Sequence, residues 1–492
     1  ASFPHVQEVV LLVCGQPENA TVETLSGFCC LELPVPLRLV AKEDWTIELL
    51  LKTLVLESDG QDLLYYAWAD CPFLDIELTK RLAERHIRYG AEYSFADGWP
   101  YGCAPELLAP TTAAVLEKIY TGKEKGSDDM PSRDALFQVL QRDINSFDIE
   151  TEISPVDLRP YRLSLSTDSK RNFILVQRLM KAGLETEDQA PSIFEQHPDL
   201  LRTLPAFYQI QVARPCPQRC SLCPYPLFGN PDPGSASEAD FMPVQVFTDL
   251  LDRIIDFSGD GVIDLSVWGE AALHPDIEAL VRSVLDRPEL SLIIETSGLG
   301  WKESTLIALS EAAAAATPRF NGMKPLTWIL SLDAQDPGRY REVRGEGYER
   351  AQAYAHKLLA LFPRSTYVQA LRVKGAEDDI EQFYRIWKSR GAQVIIQKYD
   401  FFCGNLPALR IGDLSPLHRR PCWHLMRDMT ILLDGSVPLC REDIHQTQFL
   451  GNVFQDSLET IWQASVPRYS EHIKGQYTGI CKDCDEYYTY NF

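Results

Sequence analysis

No run of apolar residues in the chain approaches the roughly 20 that a bilayer-spanning helix needs, so no membrane span is expected. No basic start followed by a long apolar stretch occurs in the chain as given, which argues against a secretory signal and for a cytoplasmic protein. Basic residues are scarce: 47 Lys and Arg face 70 Asp and Glu, a net charge of −23. Such a surface repels phosphate backbones and excludes nonspecific nucleic-acid binding. Internal repeats and low-complexity tracts are also missing. The chain instead has 492 residues, 45% of them apolar, too many for one ordinary core, so two or three folded domains follow. The charge is uneven: residues 1–200 hold 18 basic and 33 acidic side chains, residues 201–492 hold 29 and 37.

The 13 cysteines are an odd number, which in this context favours reduced thiols, metal ligands or catalysis over a disulfide framework. Cys14, Cys29, Cys30, Cys71 and Cys103 lack ligand-like spacing and read as buried, inert thiols. None occurs between Cys103 and Cys216. Then Cys216, Cys220 and Cys223 fall within eight residues, in a loop stiffened by four prolines between Arg214 and Pro226. Three thiolates at this spacing can hold three irons of a cubane and leave the fourth open to a chelating small molecule. A zinc site completed by a distant residue such as His274 is the alternative.

From Phe207 to Lys398 the pattern alternates strand and helix six times, with strands near 207–213, 262–267, 291–295, 327–332, 367–373 and 392–398. Alternation of this kind predicts a parallel sheet closing toward a barrel, with chemistry at the C-terminal strand ends. Cys216, Glu270, Ser331 and Asp333 all fall there.

The Cys-x3-Cys-x2-Cys loop resembles the cluster motif of the radical S-adenosylmethionine superfamily. Trp268-Gly269-Glu270 is similar to that family's Gly-Gly-Glu turn at the methionine amino group, with Trp268 in place of the first Gly. Ser331-Leu332-Asp333 and the later Arg344 resemble its segment near the cofactor's carboxylate and ribose. Leu222 stands where the family usually has an aromatic against adenine. The resemblance implies a partial six-stranded barrel, a [4Fe–4S] cluster on the three cysteines and S-adenosylmethionine as its ligand.

Near the C-terminus, Cys422-x12-Gly435-x4-Cys440 and Cys481-x2-Cys484 supply four thiolates, a complete set for a closed [4Fe–4S] cluster or for tetrahedral zinc. With Gly451-Asn452-Val453 between them, this segment resembles the SPASM auxiliary-cluster extension or its shorter twitch form, as found in a radical dehydrogenase of an aminocyclitol and in a spirochaete SPASM family. One auxiliary [4Fe–4S] cluster with an electron-transfer role is then implied. Glu442 and Asp443 are candidate bases for a second, proton-removing step. Cys403 is a further thiol that could donate a hydrogen atom or simply be buried. His274 and His424 read as structural histidines.

The first two hundred residues contain a strand over Glu8–Val13 and a second over Leu63–Trp68 ending at Asp70. With Tyr161 to Ser169 they resemble the sugar-activating cytidylyltransferases of glycosyltransferase-A type fold, whose metal-binding positions match Asp70 and Asp168. That implies a divalent metal at Asp70/Asp168. The family's basic, Gly-rich phosphate loop is lacking: Cys14 is followed by Gly-Gln-Pro-Glu-Asn, and no Lys or Arg precedes Arg38. A degenerate, docking or binding domain is therefore expected. Residues 122–129 read as a loop.

The expected architecture is α/β: a nucleotidyltransferase-like domain over 1–183, a linker over 184–204, a partial (β/α)6 TIM barrel over 205–402 and an iron–sulfur twitch/SPASM module over 403–492. The expected activity is reductive cleavage of S-adenosylmethionine to a 5′-deoxyadenosyl radical that oxidises a sugar-like small molecule. Modification of a peptide side chain and a zinc-stapled interaction protein without enzymatic activity are the rival readings. The enzyme readings require an electron donor such as flavodoxin or ferredoxin.

Overall fold

The structure, a computed structural model, describes all residues except 1–2, 16–34, 124–129, 229–232, 320–321, 413–414 and 490–492. Cys29 and Cys30, the segment after Gly15 and most of the expected 122–129 loop lie outside the described residues. The chain divides into two compact units, Ala1–Leu201 and Arg202–Phe492.

In the first unit, β1 (Val9–Cys14) and β2 (Leu37–Lys42) form a parallel pair. A separate four-stranded sheet runs in the order β3 (Leu64–Tyr66), β5 (Glu106–Leu108), β4 (Tyr93–Asp97), β6 (Ile149–Ile153). Helix Ile76–Tyr89 begins where Asp75 accepts from the Leu78 amide and ends at Gly90, whose φ of 62° closes the last turn. Its buried face is Leu78, Thr79, Leu82, Ala83 and His86, the spacing of one helical stripe. The stretch expected as a linker is folded. Residues Ala190–Gln196 are helical, Phe194 and Leu201 are buried, and the Glu187 carboxylate meets Arg81 at 2.7 Å. The apolar side chains in that stretch hold it against the rest of the unit.

The second unit is built on one parallel sheet: β7 (Phe207–Ile210), β8 (Gly261–Asp264), β9 (Leu290–Thr296), β10 (Leu326–Ser331), β11 (Thr366–Arg372) and β12 (Gln393–Lys398). Helices such as Val244–Ser258, Ile277–Leu285 and Glu377–Ser389 connect them. All side chains of β7, β8 and β10 are buried, as strands covered on both faces must be. The sheet has a seventh member. β13 (Asp428–Ile431), from the C-terminal module, pairs in parallel with β7 from Asp428↔Phe207 to Ile431↔Ile210. The order is therefore β12-β11-β10-β9-β8-β7-β13. A hairpin of β14 (Ser436–Pro438) and β15 (Phe449–Asn452) follows.

Two buried charges fix the added strand. Arg202 donates to the carbonyls of Leu425 (2.8 Å) and Trp462 (2.9 Å) and to Ser465 Oγ (2.6 Å), with its guanidinium 3.7 Å from the Trp462 ring centre. Asp428 bonds His424 Nδ1 at 2.6 Å and the Arg427 guanidinium. Burial opposes its ionisation, but Arg427 and His424 outweigh that effect and bring its pKa down to about 2. A depressed carboxylate stabilises the fold above its unfolded pKa, and the contribution disappears as pH falls through the folded value. Acid titration between pH 4 and pH 2 should therefore remove about 2 kcal/mol from the second unit. Asp428→Asn should flatten that limb in equilibrium unfolding followed across the same window.

Candidate active site

The chain leaves β7 and reaches Cys216, Cys220 and Cys223 at the C-terminal rim of the sheet. All three thiols line a cleft of ≈ 1190 Å³, partly open to solvent. Burial pushes Cys216 and Cys223 up to about 12 and raises Cys220 as well. Three such thiols side by side resist becoming thiolates unless a positive centre compensates them, which is the condition an iron–sulfur cluster meets. The donor set fits that group.

The loop is fastened to β10 through a chain of polar contacts. Gln218 donates to Tyr340 Oη at 2.9 Å and accepts from Arg344 at 3.1 Å, while Cys220 Sγ lies 3.7 Å from the same Gln218 oxygen. Arg344 in turn donates to Asp333 Oδ2 at 2.7 Å, and Asp333 Oδ1 accepts the Leu371 amide at 2.9 Å. Asp333 has a φ of 61°, a left-handed conformation that directs its carboxylate into this network.

Trp268, Gly269 and Glu270 follow β8 and line the same cleft. Trp268 takes up a φ of 43° without being glycine, and Gln211 holds its carbonyl at 2.9 Å. Gly269 cannot be replaced: at φ 110°, an added Cβ would sit 1.9 Å from the Ala213 carbonyl oxygen. Glu270 is buried, which raises its pKa, with Thr296 and Ser297 opposing the rise. One oxygen accepts from Thr296 Oγ1 (2.6 Å), the other from the amide (2.9 Å) and hydroxyl (2.6 Å) of Ser297. Ser331 donates to Glu295 Oε1 at 2.7 Å.

Several lining residues were not singled out from the sequence. Glu295, on β9, receives Ser331 and Gln369 (2.9 Å), both on Oε1. A carboxylate directly after the apolar run Leu292-Ile293-Ile294, still within a buried strand, was the available signal. Tyr225 stacks on Trp268 at 5.9 Å, and Phe402 lies tilted against the same ring at 5.7 Å, so aromatic surface is present despite Leu222.

A second cavity, of ≈ 500 Å³, is lined by Cys422, Cys440, Cys481 and Cys484, with Cys403 beside them. Burial raises Cys422 and Cys440, and Cys481 to about 11. Four thiols converging in a closed cavity fit a fully ligated cluster. Arg441 lines both cavities, bonded to Asp400 (3.0 Å) and Glu442 (2.9 Å).

Three expected roles change. Asp443 is not poised as a base, because its carboxylate caps a turn by accepting from Thr447 N, Thr447 Oγ1 and Gln448 N, each at 2.8 Å. Glu442 is buried in the wall of the cysteine-lined cavity, not the cleft. In the first unit, Asp70 and Asp168 do come together, but Arg133 bridges them, bonding both Asp70 oxygens and Asp168 Oδ2 (2.8 Å). Its guanidinium lies 5.0 Å from the Trp68 ring centre. A guanidinium therefore supplies the positive charge that a divalent metal would have brought. His274 is structural, as expected: Nε2 bonds Met242 O at 2.8 Å and Nδ1 accepts the Asp276 amide. His424 bonds Asp428 and the Glu486 carbonyl. Asp400, Asp485 and Glu486 also converge, but Lys398, Arg410 and Arg441 neutralise them, which makes the group a salt-bridge cluster.

Residues 422–485 match the SPASM family, an iron–sulfur cluster-binding domain. An uncharacterized protein of Treponema pallidum (strain Nichols) is 42% identical over 366 residues, 73% of this chain and 98% of that protein. Among solved structures, Streptococcus suis SuiB bound to precursor peptide SuiA is 16% identical with a TM-score of 0.45, over 77% of this chain and 88% of that one. BtrN in complex with AdoMet and 2-DOIA is 18% identical with a TM-score of 0.37, over 57% and 94%.

Two outcomes are expected of this geometry. Gly269→Ala should force the Ala213–Arg214 backbone aside and lower the melting temperature of the second unit, followed by circular dichroism. Arg133→Ala should leave two adjacent carboxylates uncompensated and lower the melting temperature of the first unit, whereas Arg133→Lys should restore part of the loss.

Proposed function

We propose that this chain, which shares a family with the treponemal protein and carries a SPASM iron–sulfur domain over residues 422–485, is a radical S-adenosylmethionine enzyme that oxidises a sugar-like small molecule. The observation that carries the reading is the gathering of Cys216, Cys220, Cys223, the Trp268–Glu270 turn, Ser331 and Asp333 around one cleft at the strand ends. When bound there, a [4Fe–4S] cluster and S-adenosylmethionine supply a 5′-deoxyadenosyl radical able to abstract hydrogen from an unactivated carbon.

The protein's own residues bind, orient and exclude water. The turn at Gly269 brings backbone close to the cluster loop and gives the methionine end of the cofactor a place to lie. Arg344, held by Asp333 and Gln218, fixes the loop that carries Cys220. Tyr225, Trp268 and Phe402 form an aromatic wall that keeps the reacting carbon dry. The proton acceptor is Glu295, in place of Glu442 and Asp443. Ser331 and Gln369 hold one of its oxygens, and the carboxylate lines the cleft, where it accepts the proton lost when an alcohol carbon is oxidised. Cys422, Cys440, Cys481 and Cys484 would hold an auxiliary [4Fe–4S] cluster, which would supply one-electron redox capacity beside the cleft. Reduced thiols of this number suit the cytoplasm, with flavodoxin or ferredoxin as electron donor.

Anaerobic incubation with reductant and S-adenosylmethionine tests the reading. Deoxyadenosine should form, and a sugar derivative should lose two mass units. Cys220→Ala should abolish cofactor cleavage, whereas Cys481→Ala should allow uncoupled cleavage without product. Turnover that requires a polypeptide would replace the sugar reading with peptide modification, and zinc in place of iron would remove both.

A further inference from the structure

Five thiols, not four, surround the cavity of the C-terminal module. Cys403 precedes the matched SPASM segment by nearly twenty residues, yet it lines the same wall as Cys422, Cys440, Cys481 and Cys484. Among those four, Cys484 is the one whose side chain pairs with that of Cys403. The remaining wall also waits for a ligand: His472 Nε2 and Glu442 Oε2 are buried there without a hydrogen-bond partner, in side chains only 2% and 4% exposed. Buried polar atoms in native structures rarely stay unsatisfied, so these two mark where a bound group belongs.

The backbone at Cys403 is held deliberately. Phe402 and Cys403 have φ values of 49° and 52°, two successive non-glycine residues in the left-handed region. Such conformations cost about 1–3 kcal/mol each and persist where the surroundings impose them. The imposing contacts are the Phe402 amide on Asp400 Oδ1 (2.7 Å) and Asn405 Nδ2 on the Phe402 carbonyl (2.8 Å). Phe402 meanwhile lines the cleft and packs on Trp268. One dipeptide therefore presents a ring to the first site and a thiol to the second.

A cubane cluster has four irons, and five thiols leave one supernumerary. We propose that Cys403 is an exchangeable fifth ligand of the auxiliary cluster, competing with Cys484 for a single iron. In the exchange the iron–sulfur bond to Cys484 breaks as the bond to Cys403 forms, and the proton carried by the Cys403 thiol passes to Cys484. No electron is gained or lost. The inference rests on the reading that Cys422, Cys440, Cys481 and Cys484 hold an iron–sulfur cluster.

Iron and sulfide content of anaerobically purified full-length protein, with EPR of the reduced state, tests it. Wild type should hold about eight irons per chain. Cys484→Ser and Cys403→Ser should each keep about eight, with a changed EPR line shape in the first. The double variant should fall to about four, the number of one cubane. Cys422→Ser, which has no neighbouring spare thiol, should fall to about four by itself. Loss of half the iron in Cys484→Ser alone, with unchanged circular dichroism, would overturn the exchange, as would a double variant that keeps eight. A wild-type protein with only about four irons would instead defeat the auxiliary-cluster reading, a separable result.

Discussion

The second unit depends on the pairing of β13 with β7. An open parallel sheet leaves unpaired amides and carbonyls at its edges, and a protein must cover them. Here the covering strand comes from the cysteine-rich C-terminal module, more than two hundred residues downstream of the strand it joins. Four residue pairs thus make barrel and module parts of one sheet. Arg202, which ties Leu425, Trp462 and Ser465 together, secures the helices behind that strand. Because Cys216 follows β7 and Cys422 precedes β13, the same pairing sets the spacing between the two groups of thiols.

Between those groups lies a compact set of opposite charges. Lys398, Arg410 and Arg441 face Asp400, Glu442, Asp485 and Glu486. Buried carboxylates are costly to desolvate, and here each has at least one cationic partner, although Glu442 Oε2 and Asp485 Oδ1 have no hydrogen-bond partner. Hydrophobic side chains would fill the space more cheaply. Charges placed there give the wall shared by the two cavities a fixed polarity, and Arg441 presents a face to each.

Much of this was legible in the chain itself. Six buried strands separated by amphipathic helices, and cysteines at the first strand's end, are local patterns, and the strands stand within a few residues of where those patterns put them. β13 was not legible: Asp428–Ile431 is four residues long, and nothing local names a partner so distant in sequence. Asp70 and Asp168 were recognisable as strand-end acids, but Arg133, which bridges them, belongs to a different stretch of chain and decides their chemistry. Glu295 was passed over, because its role depends on Ser331 and Gln369 arriving from two neighbouring strands. Asp443 failed for the reverse reason. Its position beside Cys440 suggested proximity to chemistry, and the turn it caps consumes its hydrogen-bonding capacity.

Arg133 has one more consequence. A site that borrows its cation from solution is empty or filled according to supply, and its shape follows. A site that carries its cation on its own side chain, as Arg133 does here, needs no magnesium or manganese to hold its carboxylates together. In the acidic first unit, Asp70 and Asp168 are thus held together by a partner that the chain itself supplies.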